Sequence, residues 1–281
     1  MIHNSSIVDK EAKIGKNIKI GPFCYIGPQV QISENVELIS NVHIEGNTKI
    51  GKGTKIFPFA SIGTQPQDLK YKGESNSLEI GENNIIREYV TINPGTKGGG
   101  GLTKVGNNCL FMVSAHIAHD CFVGDNVILA NNVPLGGHAH IDDNAIIGGN
   151  SAVQQFTRVG KSAMIGGMCG VVRDIIPYGI AHGNRSILQG LNIIGLRRKN
   201  IPNKQIMTLN VALFDSQASN HEDIDSHRKS TLKILKDLDD LIMSYASTRI
   251  SHMNIQPLKV IGALPQKIGD VTEISNSLVK L

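Results

Sequence analysis

The sequence predicts a mainly β protein: a parallel β-helix of six-residue repeats over 1–176, followed by a linker and an α-helical domain over 177–281. Three observations predict it. First, every sixth residue from Ile2 to Ile62 is aliphatic, through Val8, Ile14, Ile20, Ile26, Ile32, Leu38, Ile44, Ile50 and Ile56. The phase resumes at Ile80, Ile86 and Ile92, shifts by one, and then runs from Val105 through Phe111, Ile117, Val123, Leu129 and Leu135 to Val171. Second, glycine often follows the aliphatic residue, as in Ile14-Gly15, Ile26-Gly27 and Val159-Gly160, and the chain holds 30 glycines. Third, aromatic residues make up 4% and Trp is absent, so the core must be narrow and filled by aliphatic side chains.

A period of six fits neither a 3.6-residue helix nor a plain two-residue alternation. It fits short strands joined by tight turns, with one aliphatic per strand pointing inward. Three hexads complete one turn of a triangular prism, so residues three hexads apart stack on one another. Successive turns then follow the strand spacing of about 4.8 Å, giving roughly nine turns and a prism about 40 Å long. Each turn buries its faces only against its neighbours, as in any solenoid.

The cysteines agree with this register. Cys24, Cys109, Cys121 and Cys169 each fall four residues after a repeat aliphatic, a slot held elsewhere by Val30, Val36, Val42, Ala60, Ala115, Val127 and Ala139. The slot reads as small, apolar and buried, and its cysteines as core thiols. Their spacing matches no zinc motif. Two segments interrupt the repeat. Residues 63–79 lose the aliphatic at two positions but keep the phase, and the Gly-rich residues 93–104 shift it. Both read as loops projecting from the prism, where binding groups tend to sit. The hexads stop near Pro177. From about Asn203 the spacing turns helical, with Ile206, Leu209 and Leu213, then Leu232, Leu235, Leu238 and Leu241.

Composition bounds the function. Forty per cent apolar and 19% charged residues describe an ordinary soluble chain, and a net charge of +4 permits a phosphate ligand or acidic partner without demanding nucleic acid. No apolar run approaches the ~20 residues that span a bilayer. The start, MIHNSSIVDK, lacks the basic and apolar regions of a signal peptide, so a cytoplasmic location is expected.

One stretch carries chemistry: SAHIAHDC, 114–121. Ala115 and Cys121 occupy the small slot and Ile117 the inward slot, which leaves His116, His119 and Asp120 free to face out of the prism. A His beside a carboxylate is the arrangement that takes a proton from a poor nucleophile such as a hydroxyl. The adjacent acid would fix the imidazole's tautomer and stabilise the imidazolium. His138 lies three hexads after Asp120, and Gly137 three hexads after His119, so both should stand one turn above on the same face. No Ser or Cys is paired with this His, so no covalent intermediate on the protein is implied.

The hexads resemble those of the hexapeptide-repeat acyltransferases, whose left-handed parallel β-helices assemble as homotrimers. Within that group, QDLKYKGE (67–74), GGGLTKVG (99–106), AHIAHDC (115–121), ILANN (128–132), LGGH (135–138) and GVVRDIIPYGIAHGN (170–184) are similar to the UDP-N-acetylglucosamine O-acyltransferases that begin lipid A synthesis. The likeness covers about residues 1–200, with only helical character shared beyond Asn200. It implies transfer of a 3-hydroxyacyl group from acyl carrier protein to the 3-position of UDP-N-acetylglucosamine, without cofactor or metal. It makes His119 the general base, Asp120 its partner, and the Gly137 N–H the holder of the oxyanion. It assigns Gln67, Asp68, Lys70, His116 and His138 to the sugar and acyl group, and Gln155, Asn192 and Arg198 to the nucleotide. Gly167 matches the position that limits acyl length. The family pattern has His at Gln154, Glu at Ile194 and Arg at Lys199, so nucleotide contacts are expected to differ in detail.

Two other readings stay open at this level. A γ-type carbonic anhydrase shares the fold and would use His116, His119 and His138 as zinc ligands. A non-catalytic β-helix would gain nothing from polar residues gathered on one face. A sister N-acyltransferase is disfavoured, because it carries an N-terminal uridine-binding domain and the hexads here begin at Ile2.

Overall fold

A computed structural model describes residues 1–207. The helical pattern expected from Leu209 onward lies outside them. The chain divides into two compact units, Met1–Asn192 and Ile193–Leu281. Twenty-seven strands, most of them two residues long, succeed one another in the first unit. From Ile7–Val8 to Ala152–Val153 each pairs in parallel with the strand three places later, so every third strand joins the same sheet and three sheets form the walls of a prism. One sheet runs from Ile7–Val8 through His43–Ile44, His116–Ile117 and Pro134–Leu135 to Gly170–Val171. The expected mainly β, parallel β-helical class is what the chain adopts.

Register follows the hexads. Tyr25 pairs with His43, and His116 with Pro134, each partner three hexads on. Across the first interruption Ser61 pairs with Thr91, two hexads further than usual, which is why the phase survives. Across the second, Thr91 pairs with His116, one hexad and one residue further, which is why it shifts. Both loops are shorter than the sequence implied. Ser77, Leu78 and Glu79 pair with Leu102, Thr103 and Lys104 as regular strands. Leu78 and Thr103 are fully buried there, so core packing reclaims the last three residues of each interruption.

The inward aliphatics, among them Ile26, Ile44, Ile62, Ile92, Ile117, Leu135 and Ile147, are buried. Each such side chain contributes about 1.5–3 kcal/mol against exposure. The small slot is buried as well, from Ile18 and Cys24 to Ala163 and Cys169. Burial pushes the Cys109 thiol up to about 11 and the Cys121 thiol up to about 12. Where polar residues occupy this slot they bond the backbone: Asn84 donates to the Gly81 and Gly106 carbonyls and accepts from the Cys109 N–H.

Most turns have a residue with positive φ three places after the aliphatic. Asn17, Asn35, Asn41, Asn126, Asn132 and Asn144 fill many of them, as befits the residue best tolerated in the left-handed region after glycine. Asp120, His138 and Phe156 stand in the same turn position at one corner of the prism, on three successive turns. The parallel ladder ends where Gly179–His182 pairs antiparallel with Ile187–Leu191. In the second unit, a helix spans Ile193–Arg198 and another covers 203–207. Among the described residues no helix is long and apolar enough to cross a membrane.

Candidate active site

The site grows from the turn that follows the strand His116–Ile117. Ile117 points into the core, and the chain then bends through His119 and Asp120, the latter at φ 59°. That bend turns both side chains to the corner. His119 Nδ1 lies 2.8 Å from Asp120 Oδ2. A carboxylate only accepts, so Nδ1 donates, and in the neutral imidazole the lone pair lies on Nε2. The Asp120 side chain is 1% exposed and that of His119 14%.

A buried carboxylate needs donors, and Asp120 has them. The Thr96 N–H reaches Oδ1 at 2.8 Å, and the Thr96 hydroxyl reaches Oδ2 at 2.6 Å. The Asp120 N–H donates to Thr103 Oγ1 at 2.8 Å. Gly99 packs so closely that a β-carbon there would fall 2.1 Å from Asp120 Cγ. The segment read from sequence as a Gly-rich loop is therefore the seat of the acid.

One turn above, the His138 N–H bonds the His119 carbonyl, and its ring stands edge-on to His119 with centroids 5.2 Å apart. His138 Nε2 is 3.8 Å from Asp120 Oδ2. Phe156, a further turn up, stacks on His138 at 4.4 Å. Gly137 is buried, and among the described residues no acceptor takes its N–H. A β-carbon at Gly137 would lie 2.6 Å from Cε1 and 2.7 Å from Nε2 of His119, so glycine leaves open the space in front of the unprotonated nitrogen.

His116 lies one residue before Ile117, with Nδ1 2.7 Å from Thr91 Oγ1 on the neighbouring strand. Burial, and secondarily the positive charge His119 carries when protonated, lower its affinity for a proton. The structure thus gathers His116, His119, Asp120, Gly137 and His138. Gln155 is exposed one turn above Gly137, its backbone against Gly136. Asn192 is tied to the top of the prism, its N–H on the Tyr178 carbonyl and its amide on the Ser162 carbonyl. Gly167 is exposed at another corner, above Gly149. Arg198 ends the helix of the second unit. Gln67 and Lys70 are exposed, and Asp68 accepts the Lys70 N–H at 2.9 Å. Among the described residues, no hydrogen bond or ion pair joins these three to the His119 cluster.

Sequence reasoning missed Thr96, Gly99, Thr103 and Phe156. Phe156 was accessible, since it lies three hexads after His138. Thr96 was not, because the register breaks between it and Asp120.

Fold and site together define a hexapeptide-repeat protein with a His–Asp pair set in one corner of its prism. A family model described as UDP N-acetylglucosamine O-acyltransferase, domain 2, matches residues 174–251, well past the Asn200 limit expected from sequence. An acyl-[acyl-carrier-protein]–UDP-N-acetylglucosamine O-acyltransferase of Caulobacter vibrioides is 52% identical over 185 residues, 65% of this chain and 70% of that protein. Its Paracoccus denitrificans counterpart is 48% identical over 153 residues, 54% of this chain, and the match spans 59% of that protein, less than two thirds. The solved UDP-N-acetylglucosamine O-acyltransferase of Moraxella catarrhalis is 41% identical, with a TM-score of 0.76 over 90% of this chain and 96% of that one. The chain belongs to the UDP-N-acetylglucosamine O-acyltransferase family.

Proposed function

We propose that this protein transfers a 3-hydroxyacyl group from acyl carrier protein to the 3-hydroxyl of UDP-N-acetylglucosamine, the first step of lipid A biosynthesis, as a cytoplasmic homotrimer. The observation that carries the reading is the buried Asp120 holding His119 in the tautomer that leaves Nε2 basic. In the reaction, Nε2 takes the sugar hydroxyl proton as the oxygen attacks the thioester carbonyl. General-base help of this kind is worth about 10²–10⁴-fold. The C–S bond then breaks, and the carrier's thiolate leaves with the proton from the imidazolium. The Gly137 N–H steadies the tetrahedral oxyanion, a contribution of about 10²–10³-fold for one donor.

The other assignments rest on the resemblance. His116 and His138 flank the base and bind the sugar and acyl group. Gln155, Asn192 and Arg198 bind the nucleotide. Gln67, Asp68 and Lys70 bind sugar and acyl hydroxyl. Gly167 limits acyl length.

The ligand atoms of His119, Asp120 and His138 lie within 4.8 Å of one another, a spacing that also admits a cation. Against a metal site, Asp120 already accepts from Thr96 twice and from His119. The test is an assay of purified protein with 3-hydroxyacyl carrier proteins of several chain lengths and both UDP-N-acetylglucosamine and its 3-amino analogue, alongside metal analysis. Transfer at one preferred length without bound metal is expected. No transfer to either acceptor, or one zinc per chain, overturns the reading.

A further inference from the structure

We propose that Thr96 is the positioning residue of the His119–Asp120 pair, making the 93–104 segment a working part of the site rather than a connection. The inference rests on the reaction proposed above and extends it to a residue outside the repeat register. Thr96 is 3% exposed and meets Asp120 twice, through its N–H on Oδ1 and its hydroxyl on Oδ2. Its own backbone is held in place, because its carbonyl accepts from the N–H groups of Gly99 and Gly101. The preceding Gly95 N–H is bonded to the Ser77 carbonyl on the adjoining strand.

The geometry explains why two donors are needed. A carboxylate on a one-residue turn can rotate about its own bond and offer His119 either oxygen, or neither. Thr96 occupies Oδ1 with the backbone and one side of Oδ2 with the hydroxyl. The remaining approach to Oδ2 is the one His119 Nδ1 uses. Both donors are neutral, so the negative charge stays available to the imidazolium formed during proton transfer. A Lys or Arg in that place would spend the charge. Gly99 completes the seat, since any β-carbon there would strike the carboxylate. Thr96 need not touch the substrate; it acts through Asp120.

Three substitutions test this. Thr96→Val keeps shape and backbone bond while deleting the hydroxyl, Thr96→Ser restores it, and Gly99→Ala displaces the carboxylate from the other side. In Thr96→Val, kcat for acyl transfer should fall about 10–100-fold, as for supporting partners of other functional ligands, with KM for the nucleotide sugar little changed. Thr96→Ser should recover most of the rate, and Gly99→Ala should lose it as Thr96→Val does. Independently of any reaction, ¹⁵N-histidine NMR of the intact protein should find the His119 Nδ1–H resonance displaced or lost in Thr96→Val and kept in Thr96→Ser. An unchanged resonance in Thr96→Val refutes the positioning role even if the protein proves to catalyse something else. A fall in kcat that Thr96→Ser fails to rescue refutes it too. Absence of transfer by the unaltered protein refutes only the proposed reaction.

Discussion

Among the His–carboxylate pairs of the prism, two of nearly equal length differ in whether they have the makings of a proton-transfer site. His119 and Asp120 meet at 2.8 Å in a corner turn; His140 and Asp142 meet at 2.9 Å on and just past a flat strand of another sheet. Asp142 also takes Arg158 at 3.4 Å, and Phe122 stacks on the His140 ring at 4.6 Å. In that pair a permanent cation already answers the carboxylate, and the ring is part of a ladder of side chains on successive turns, Phe122, His140 and Arg158. In the other the carboxylate is fed by the neutral Thr96, and Gly137 leaves the far side of the imidazole open. The lesson is that proximity of His and Asp does not define the site. The charge state of the acid's other partners, and the space before Nε2, do.

The sharpest way to break this comparison is to delete each imidazole. His119→Ala should lower acyl transfer by about 10²–10⁴-fold, the usual worth of a general base. His140→Ala should leave the rate within about threefold, since a partly exposed side chain away from such machinery is tolerated. Equal losses in the two variants would mean that the corner is not special. A smaller effect is expected at Gly137. Gly137→Ala forces the His119 ring aside, and a displacement approaching 1 Å can reduce the rate by about 10²-fold. Steady-state kinetics should find that loss in kcat, with the melting temperature little altered.

The smallest effect concerns His116, where burial, and secondarily His119, outweigh the backbone of Thr91 and make the folded protein a poorer proton acceptor than the unfolded chain. A depressed folded value means that the unfolded state binds the extra proton. The stability is therefore complete above the ordinary value of 6.5 and is lost as pH falls below it. Thermal melting at about pH 7.5 and about pH 5.5 should register a drop in the unaltered protein that His116→Gln reduces. A drop of equal size in both would remove His116 from the explanation.

Much of this was legible in the sequence because the fold is one-dimensional. With Ile117 and Leu135 as inward markers, stepping by three hexads from Asp120 and His119 located His138 and Gly137, and the same step would have located Phe156. Repetition converts sequence separation into distance wherever the hexads hold. It fails where they break, so the contact between Thr96 and Asp120, across the 93–104 segment, had no signal in the spacing. The loop ends were legible only in part: Ser77-Leu78-Glu79-Ile80 alternates polar and buried apolar residues, whereas exposed Leu102 beside buried Thr103 inverts the usual alternation. The roles of Gln67, Asp68 and Lys70 are illegible for another reason, since they sit in the first interruption, where the hexad register assigns no neighbour.

The central claim is that a buried, uncancelled carboxylate makes His119 a base, and Asp120→Asn compared with Asp142→Asn tests it most directly. Asparagine is at home in the left-handed turn Asp120 occupies, so the backbone should persist while the charge and the tautomer are lost. The account predicts that Asp120→Asn lowers kcat for acyl transfer by roughly 10²–10⁴-fold at a nearly unchanged melting temperature. Asp142→Asn should stay within about threefold of the parent. Full activity in Asp120→Asn, or an equal loss in Asp142→Asn, would contradict it.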